Sequence, residues 1–363
     1  MIDVHFPILE YASDHSPRQW GQMHGESFRE AIAELVQIRT DLMREKNPTL
    51  DANRIERLAA EQWHATQSFS PEVTEELEGI AEGADQSKTA LVVLNNYTDF
   101  RDIQLADEQG CSLVFVNADE GPLVGQTWDM HGSAKRYVCC LDVPRPNDQR
   151  AILFSLVGCV GMMGFSSWNT ALGVNNINTD RARPGALWPV LVREVLNQPD
   201  LRSMANRLTT APLTSGHNYL LAECNAAQMW EVAPGLCEKV DELLPGQLGF
   251  MYHTNHCLGK AMCQRETRLA QTSTTHIRFE LLERKVPSVK TLNQMYQLMT
   301  DHENYPKSIC SNYQANSQDP SITCGGAVAN LRTGQVRMWR GDPLHDDHFV
   351  IHDFQLAAKP HSA

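Results

Sequence analysis

The sequence predicts an α+β fold in which β-sheets are stacked between layers of helices. Three observations support this prediction. Residues 1–110 have the apolar spacing of helices, Cys111 opens a series of short β-rich runs, and helical and β-rich segments alternate again from residue 187 onward. Helices, strands, helices and strands in that order are typical of layered α+β proteins. A chain of 363 residues is long enough to bury a large core.

The first 110 residues are predicted to be helical. Ser16 and Gln19 flank Pro17 in a capping-box pattern, and apolar residues then recur at helical spacing over 20–43. Gly21 and Gly25 would each cost a helix about 1 kcal/mol relative to Ala. We therefore expect another backbone to pack closely against them. Further helices are predicted from Ser70 and over 90–97, followed by a polar loop at 107–110.

The remainder of the chain alternates between strands and helices. Strands are predicted over 111–117, 123–128, 137–143, 151–157, 170–177, 218–222, 228–232, 248–254, 321–331 and 335–340. Helices are predicted over 187–196, 200–208, 264–283 and 289–299, with Asp200 as an N-cap. The segment from Gly158 to Gly164 is interpreted as a flexible apolar loop, either a plain turn or the rim of a binding pocket. The tail after Phe354 is expected to be loose.

The first two strands after residue 110 are predicted to form a hairpin. If its turn is centred on Glu120, Cys111 lies directly opposite Asp129, with their Cβ atoms roughly 4.5–5.5 Å apart. A slip of one residue would instead place the two side chains on opposite faces of the sheet.

Composition narrows the classes of function. The net charge of −13 argues against a nucleic-acid partner, and no apolar run approaches the ~18 residues of a membrane span. The ten scattered cysteines are typical of reduced thiols in a cytosolic protein. Because the N-terminus also lacks the pattern of a signal peptide, we expect a cytoplasmic location.

Cys111 is the candidate nucleophile. A cysteine needs a base or a lowered pKa to attack at neutral pH. Cleavage of the Gly110–Cys111 bond would turn the Cys111 nitrogen into an α-amine with an ordinary pKa of about 7.7–8.0. Nucleophile and base would then belong to one residue. Gly110 fits this hypothesis because glycine tolerates a strained backbone before the cleavage point.

Two further side chains complete the hypothesis. Asp129 would hold the amine or a nearby arginine by a charge-assisted hydrogen bond. A buried amide would donate to the oxyanion, an interaction worth roughly 2.7–4 kcal/mol. Asn255, at the end of a predicted strand, is the first candidate for this amide, and the pair His217 and Asn218 is the second.

Several separate motifs together resemble the isopenicillin N acyltransferase (acyl-coenzyme A:aminopenicillanate acyltransferase) family of N-terminal nucleophile (Ntn) cysteine hydrolases. They cover most of the chain in order and are specific as a set. These motifs are Trp20-Gly21 with Gly25-Glu26, Gly110-Cys111-Ser112, Trp128-Asp129, Gly216 to Leu221, Thr254-Asn255-His256, Asp301-His302-Glu303 and Ser308-Ile309-Cys310.

The resemblance implies a four-layer αββα sandwich and self-cleavage before the cysteine. Residues 1–110 and 111–363 would be the two associated pieces. By position, Cys111 matches the nucleophile, Asp129 the neighbouring carboxylate and Asn255 the amide near the oxyanion. His217, Asn218, Trp128 and His256 are the expected substrate or oxyanion supports.

The chain departs from the family pattern at one important position. An arginine is expected shortly after Ser308-Ile309-Cys310, but Ser311 stands there. The arginine partner of Asp129 is therefore open, with Arg332 and Arg136 as substitutes. Ser112, where the family often has threonine, is a minor change.

The sequence also permits three other interpretations: a zinc site, a papain-like protease and a non-catalytic binding protein. His253, His256, Cys257 and Cys263 crowd together, but they lack the paired spacing of a zinc site, so no metal and no cofactor are predicted. A papain-like protease would also have His and Asn about 130–150 residues after its cysteine, which His253 and Asn255 satisfy. The flanking signature of that class is missing. A third alternative is an uncleaved, non-catalytic binding protein.

We predict a self-processing amidohydrolase or acyltransferase that acts on a small N-acyl compound through an acyl-Cys111 intermediate. Hydrolysis is favoured over an acyl-coenzyme A-dependent transfer because water is the default acceptor. The expected partners are the small substrate and the two cleaved fragments for each other. Homo-oligomer formation and the identity of the substrate are left open.

Overall fold

A computed structural model describes residues 2–102, 110–145, 148–267, 269, 273–313 and 321–356. Within these ranges several helices begin after a residue whose side chain accepts a hydrogen bond from the first turn, namely Ser16, Asp51, Ser70, Asp200 and Thr291. The helices are α1 (Pro17–Ser27), α2 (Arg29–Lys46), α3 (Ala52–Phe69), α4 (Pro71–Ala84), α5 (Lys88–Asp102), α6 (Trp188–Leu196), α7 (Leu201–Thr209), α8 (Thr275–Lys285) and α9 (Leu292–Met299).

The strands of the described ranges form two sheets. The first sheet contains β1 (Ile8–Glu10), β4 (Val138–Arg145), β5 (Gln149–Leu156), β6 (Met163–Ser166), β7 (Thr170–Asn176), β8 (His217–Glu223), β9 (Ala226–Ala233) and β10 (Leu236–Leu243), in that spatial order. The second contains β11 (Gly249–His253), β2 (Leu113–Ala118), β3 (Gly121–His131), β13 (Ser321–Asn330), β14 (Gln335–Arg340) and β15 (Val350–Gln355), with β12 (Asn312–Tyr313) paired to β13.

The two sheets face each other and each carries helices on its outer side. Helices α6 and α7 pack on the first sheet, while α8 and α9 pack on the second. Apolar residues fill both the space between the sheets and the space under α8 and α9. The predicted four-layer αββα sandwich is therefore confirmed.

The hairpin of β2 and β3 forms, but its predicted register is wrong by one residue. Leu113 pairs with Gln126 and Val116 with Leu123, so paired residue numbers sum to 239 rather than 240. The pairing continues beyond Leu113 to Gly110, since the Asp129 N–H donates to the Gly110 carbonyl at 2.8 Å. Asp129 thus lies opposite Gly110, not opposite Cys111.

This register decides which way each side chain points. Cys111, Leu113 and Phe115 belong to the core between the sheets, whereas Val114 and Val116 belong to the core under α8 and α9. Because side chains alternate along a strand, the Cys111 thiol faces the other sheet. Residues of the other parity, including Asp129 on β3, face α8.

The N-terminal segment is largely helical, with one addition. The predicted capping box at Ser16 and Gln19 is present, and the continuous helix predicted over 20–43 is broken at Phe28 into α1 and α2. Strand β1 was not predicted, because a three-residue parallel edge strand leaves too short a pattern in the sequence.

Close packing explains Gly21 and Gly25, as predicted. A Cβ on Gly21 would lie 2.0 Å from the Glu76 carbonyl oxygen, and one on Gly25 would lie 2.4 Å from the Ile80 oxygen. Gly79 and Gly83 on α4 meet α1 in the same way. The two backbones therefore touch where any side chain would separate them.

Other boundaries differ from the sequence predictions. Strand β6 begins inside the segment interpreted as a loop, and the polar edge strands β10 and β15 were missed. The helix predicted over 264–283 begins only at Thr275, after a short 3-10 turn at Met262–Gln264. The loop over 107–109 and the tail beyond residue 356 lie outside the described residues. In the described part of the chain, no helix combines the length and apolarity needed to cross a membrane.

Candidate active site

Cys111 is buried just before β2 begins, with 7% of its surface exposed. Burial and the charge of Asp129 raise the pKa of the thiol to about 12, while the Asp129 backbone N–H, Arg278 and the Gln126 side chain lower it. The thiol is therefore protonated at neutral pH while the chain is intact. Attack requires a base that acts at the moment of reaction.

Asp129 is a buried carboxylate whose two oxygens differ in their hydrogen bonding. Its Oδ1 accepts a hydrogen bond from the Thr323 hydroxyl at 2.7 Å. Within the described residues its Oδ2 has no hydrogen-bond partner. Burial raises the pKa of Asp129 to about 6, against the lowering effects of Arg278, Thr323 and Thr127. An acceptor oxygen that ionises near neutral pH is therefore present beside residue 110.

Gly110 is required for a different reason from the one predicted. Its φ lies outside the left-handed region, so no backbone strain calls for glycine there. Instead, a Cβ at this position would lie 2.4 Å from Asp129 Oδ2 and 3.1 Å from Arg278 Nη2. Only a residue without a side chain leaves room for the Asp129 and Arg278 side chains behind the peptide.

Asn255 reaches Cys111, but in the intact chain it does so as an acceptor. Its Oδ1 accepts from the Cys111 backbone N–H at 2.8 Å and from Arg278 Nη2 at 2.7 Å. Its Nδ2 donates to the Asn176 carbonyl at 2.8 Å. The amide therefore holds the nitrogen that cleavage would release. Its predicted role as an oxyanion donor stays a prediction.

Arg278 on α8 is one of the site residues that the sequence analysis did not single out. It is 1% exposed. Its Nη1 donates to the Cys111 carbonyl at 2.7 Å and to the Ser112 hydroxyl at 3.2 Å, and its Nε donates to the Thr274 hydroxyl at 3.0 Å. It also lowers the pKa of Asp129. Among the described residues, Arg278 is therefore an arginine whose charge acts on Asp129.

The two arginines proposed from the sequence lie elsewhere. Arg332 donates to the Asp119 carbonyl at the β2–β3 turn, and Arg136 stacks over the Tyr137 ring. Their proposed role as partners of Asp129 is therefore wrong. An unbroken helical pattern around residue 278 gave no reason to single out one arginine, because only the tertiary fold brings α8 over the end of β2.

A second amide chain fixes the Cys111 carbonyl from the opposite sheet. Asn175 Nδ2 donates to that carbonyl at 3.1 Å, and Asn218 Nδ2 donates to Asn175 Oδ1 at 3.0 Å. Asn218 thus contributes through Asn175, which the sequence did not single out. His217, next along β8, contacts the rings of Trp188 and Tyr219. It therefore points toward α6, on the other face from Asn218.

Trp128 and His256 flank the site without bonding to the thiol. Trp128 packs edge-on against Phe154 between the sheets, on the same face as Cys111. His256 bonds to the Thr275 hydroxyl at 3.0 Å, and that hydroxyl accepts from the Asn255 N–H. Burial and neighbouring histidines lower the pKa of His256 to about 4, so it is neutral and positions Asn255 through Thr275.

The sequence cluster considered for zinc does not converge on one point. His253 uses one ring nitrogen on the Thr254 carbonyl and the other on Glu231, at 2.9 Å. Among the described residues, the three ligand-type side chains that do converge are His302, Asp342 and His345.

Similarity to known proteins shows the family to which the chain belongs. The fold and the buried thiol define an αββα protein built around a candidate nucleophile at a strand terminus. Residues 116–343 match the family described as acyl-coenzyme A:6-aminopenicillanic acid acyl-transferase. The chain belongs to this family, which confirms the resemblance inferred from its motifs and makes it an acyltransferase or a related amide hydrolase.

One curated relative aligns along nearly the whole chain. The acyl-coenzyme A:6-aminopenicillanic-acid-acyltransferase 40 kDa form of Emericella nidulans is 26% identical over 353 residues, which is 96% of each chain. Solved structures are more distant. A Caenorhabditis elegans N-acylethanolamine-hydrolyzing acid amidase ortholog (TM-score 0.42, 11% identity) covers 61% of this chain and 93% of its own. A conjugated bile acid hydrolase mutant from Clostridium perfringens (0.39, 9%) covers 70% and 100%.

Proposed function

We propose that the chain is a self-processing N-terminal nucleophile enzyme that cleaves a small N-acyl amide through an acyl-Cys111 intermediate. The observation that carries this proposal is the geometry of the Gly110–Cys111 peptide. Its carbonyl oxygen accepts from the Asp129 N–H, and its nitrogen donates to Asn255 Oδ1, at 2.8 Å each. The donor at the oxygen would stabilise the oxyanion that forms when the thiol attacks this bond, and Asn255 would hold the nitrogen that becomes the α-amine.

The cleavage step follows from these contacts. Cys111 Sγ attacks the Gly110 carbonyl carbon, and the Asp129 N–H stabilises the negative oxygen that forms. Because the thiol and the Asp129 side chain lie on different faces of the sheet, the thiol proton reaches the Asp129 carboxylate through water and is then returned to the leaving nitrogen as the C–N bond breaks. The resulting thioester between Gly110 and Cys111 is hydrolysed by water. The products are a carboxylate at Gly110 and an α-amine at Cys111.

Turnover reuses the same groups. Once the Gly110 carbonyl has left, the Asp129 N–H is available to the carbonyl oxygen of a substrate. The new α-amine, next to Asn255 Oδ1, takes the proton from the thiol and returns it to the departing amine. Arg278 lies beside this amine and disfavours its protonated form. Asn255 Nδ2 becomes a second oxyanion donor if it leaves the Asn176 carbonyl.

The two fragments are expected to stay together. Glu76 of the first fragment pairs with Arg193 of the second at 2.9 Å, and both are buried. The Gly158 N–H donates to His24 Nε2 at 2.8 Å across the same boundary. The ten cysteines are free, which supports the proposed cytoplasmic location.

Acyl transfer is the second candidate function. It is favoured by the relative named as an acyl-coenzyme A:6-aminopenicillanic-acid acyltransferase, which aligns over 96% of the chain. The two functions share the acyl-Cys111 intermediate and differ in the acceptor, water or an amine. Amine release from a panel of acylated amino acids, β-alanyl amines and acylated β-lactams measures hydrolysis. The same panel with an added amine acceptor and an acyl-coenzyme A donor measures transfer.

Denaturing mass spectrometry of the purified chain tests the proposal. We expect fragments of 1–110 and 111–363, and a single chain of full mass in the Cys111→Ala variant. Cys263→Ala, at an exposed cysteine, is the matched control and should cleave like the wild type. An unbroken wild-type chain that still turns over would contradict the mechanism. An unbroken chain without turnover would favour the binding-protein alternative, and fragments cut elsewhere would argue against Cys111.

A further inference from the structure

Three ligand-type side chains meet at a surface remote in sequence from Cys111. His302 follows α9, while Asp342 and His345 follow β14. Their ligand atoms all lie within 4.8 Å of one another. His302 Nε2 is 2.8 Å from Asp342 Oδ1, and His345 Nδ1 is 3.0 Å from Asp342 Oδ2. His302 and Asp342 are mostly buried, and His345 is 44% exposed at its side chain.

The backbone holds all three in place. Gly341, at φ +88°, turns the chain out of β14, and its N–H donates to the Cys324 carbonyl at 2.9 Å. The Asp346 N–H donates back to the Asp342 carbonyl at 3.0 Å, which places Asp342 and His345 on one turn. His302 lies in a turn closed by the Tyr305 N–H on its carbonyl at 3.0 Å. Ordered ligands lower the entropy cost of binding an ion.

The donor set fits one class of ion. Two imidazole nitrogens and one carboxylate oxygen suit Zn²⁺, which binds such atoms at about 2.0–2.2 Å and commonly leaves a fourth position for water. Tetrahedral coordination at those bond lengths separates ligand atoms by about 3.3 Å. Asp342 offers a different oxygen to each histidine, at 2.8 and 3.0 Å, and all the ligand atoms lie within 4.8 Å of one another, so modest side-chain rotations can bring them to this spacing around one ion. Because the His345 side chain is 44% exposed, solvent reaches the cluster and can supply the fourth ligand.

We propose that His302, Asp342 and His345 form a zinc site with water as the fourth ligand. The site lies outside the thiol centre and does not depend on the proposed function.

Zinc bound at this site would restrain two loops of the protein. The ion joins the loop after α9 to the loop after β14. The loop after α9 continues to Ser311, whose N–H donates to the Thr323 hydroxyl at 2.8 Å, and that hydroxyl donates to Asp129. Zinc would therefore stabilise the fold and tighten the support behind Asp129. Because zinc binds the folded chain, added metal should raise the melting temperature.

Zinc titration of the chelator-treated full chain tests this site. We compare the wild type with His345→Phe, which keeps a ring to stack on Tyr305, and with His348→Phe on the same loop. One bound zinc per chain, with a rise in melting temperature, is expected for the wild type and for His348→Phe. The His345→Phe variant should bind that zinc at least about tenfold more weakly. Co²⁺ in the same site should show a tetrahedral spectrum without a thiolate charge-transfer band.

Three results would overturn the proposal. The first is that the wild type takes up no zinc at micromolar concentrations. The second is that His345→Phe binds as tightly as the wild type. The third is a thiolate charge-transfer band for the bound Co²⁺, which would place the ion on a cysteine such as Cys111 or Cys263.

Discussion

At the scale of single residues, the site is a set of hydrogen bonds around the Gly110–Cys111 peptide bond. Asn255 accepts from the Cys111 nitrogen, while Arg278 and Asn175 donate to the Cys111 carbonyl. All three backbone polar groups of the Gly110–Cys111 step are therefore held by buried partners or by the β-ladder. Such restraint fixes the reacting atoms before the reaction begins, which is the usual source of positional catalysis.

We expect Arg278 to act on this peptide as a positioning residue and through the pKa of Asp129. In Arg278→Met, self-cleavage should slow by roughly 10- to 100-fold, because a buried hydrogen bond to a charged group is worth about 1.5–3 kcal/mol. Wild-type cleavage should rise with pH through about 6, as Asp129 becomes ionised. Since Arg278 lowers that pKa, its loss should move the midpoint to higher pH. Cleavage half-times measured across pH 4–8 test both effects.

The matched control is Arg284→Met, at an exposed arginine of the same helix that pairs with Glu303. It should leave both the rate and the midpoint unchanged. If Arg278→Met lowered only the melting temperature and kept the wild-type pH profile, the arginine would be structural and this role would be wrong.

At the scale of secondary-structure elements, the β2–β3 hairpin and the α1–α4 pair show what a local pattern does and does not determine. The two strands were predictable from their β-rich runs, but the register was not, because the turn cluster around Glu120 permits more than one closure. The actual register puts the thiol and the Asp129 side chain on different faces. Asp129 acts on Cys111 through its N–H and its charge.

For the α1–α4 pair we predict that a substitution favoured by helix propensity will nevertheless lower the stability of the protein. Gly79→Ala should gain up to about 1 kcal/mol from propensity alone. The new Cβ would lie 2.1 Å from the Arg18 carbonyl oxygen, so α1 must move away. We expect a net loss of stability of about 1–3 kcal/mol or more, as in overpacked cores. Urea unfolding measures it.

Glu75→Ala, at an exposed position of the same helix, is the control and should change stability by less than about 0.5 kcal/mol. A Gly79→Ala variant as stable as the wild type would mean that α1 and α4 do not approach this closely.

At the scale of the whole molecule, the layer order was readable from the sequence because each layer has its own periodicity. The positions of Cys111, Asn255 and Gly110 were also predictable, since they stand at element boundaries. Arg278 and Asn175 were not, because polar residues inside a helix or strand look alike until the layers stack. The short or polar strands β1, β10 and β15 were not predicted for a related reason. They bury too little apolar surface to leave an alternating hydrophobic pattern in the sequence.

The buried pair between Glu76 and Arg193 links the two pieces across the proposed cleavage point. Removing one partner leaves the other charge buried and unpaired. Glu76→Gln should therefore destabilise the chain by about 3–5 kcal/mol. The double variant Glu76→Gln with Arg193→Met removes both charges and should recover part of this loss. Thermal unfolding and size-exclusion chromatography of the cleaved protein measure stability and fragment association. Additive losses in the double variant would contradict a direct coupling.

The tight fit of Gly110 against Asp129 has an outcome that appears only once the bond is broken. Hydrolysis would leave a carboxylate at Gly110 pressed against a second buried carboxylate, with Arg278 as their shared counter-ion. Two neighbouring carboxylates repel each other strongly in a poorly solvated interior. If the chain is cleaved as proposed, this repulsion would favour departure of the new end of the first fragment, and the space that it leaves beside Cys111 would admit the acyl group of a substrate.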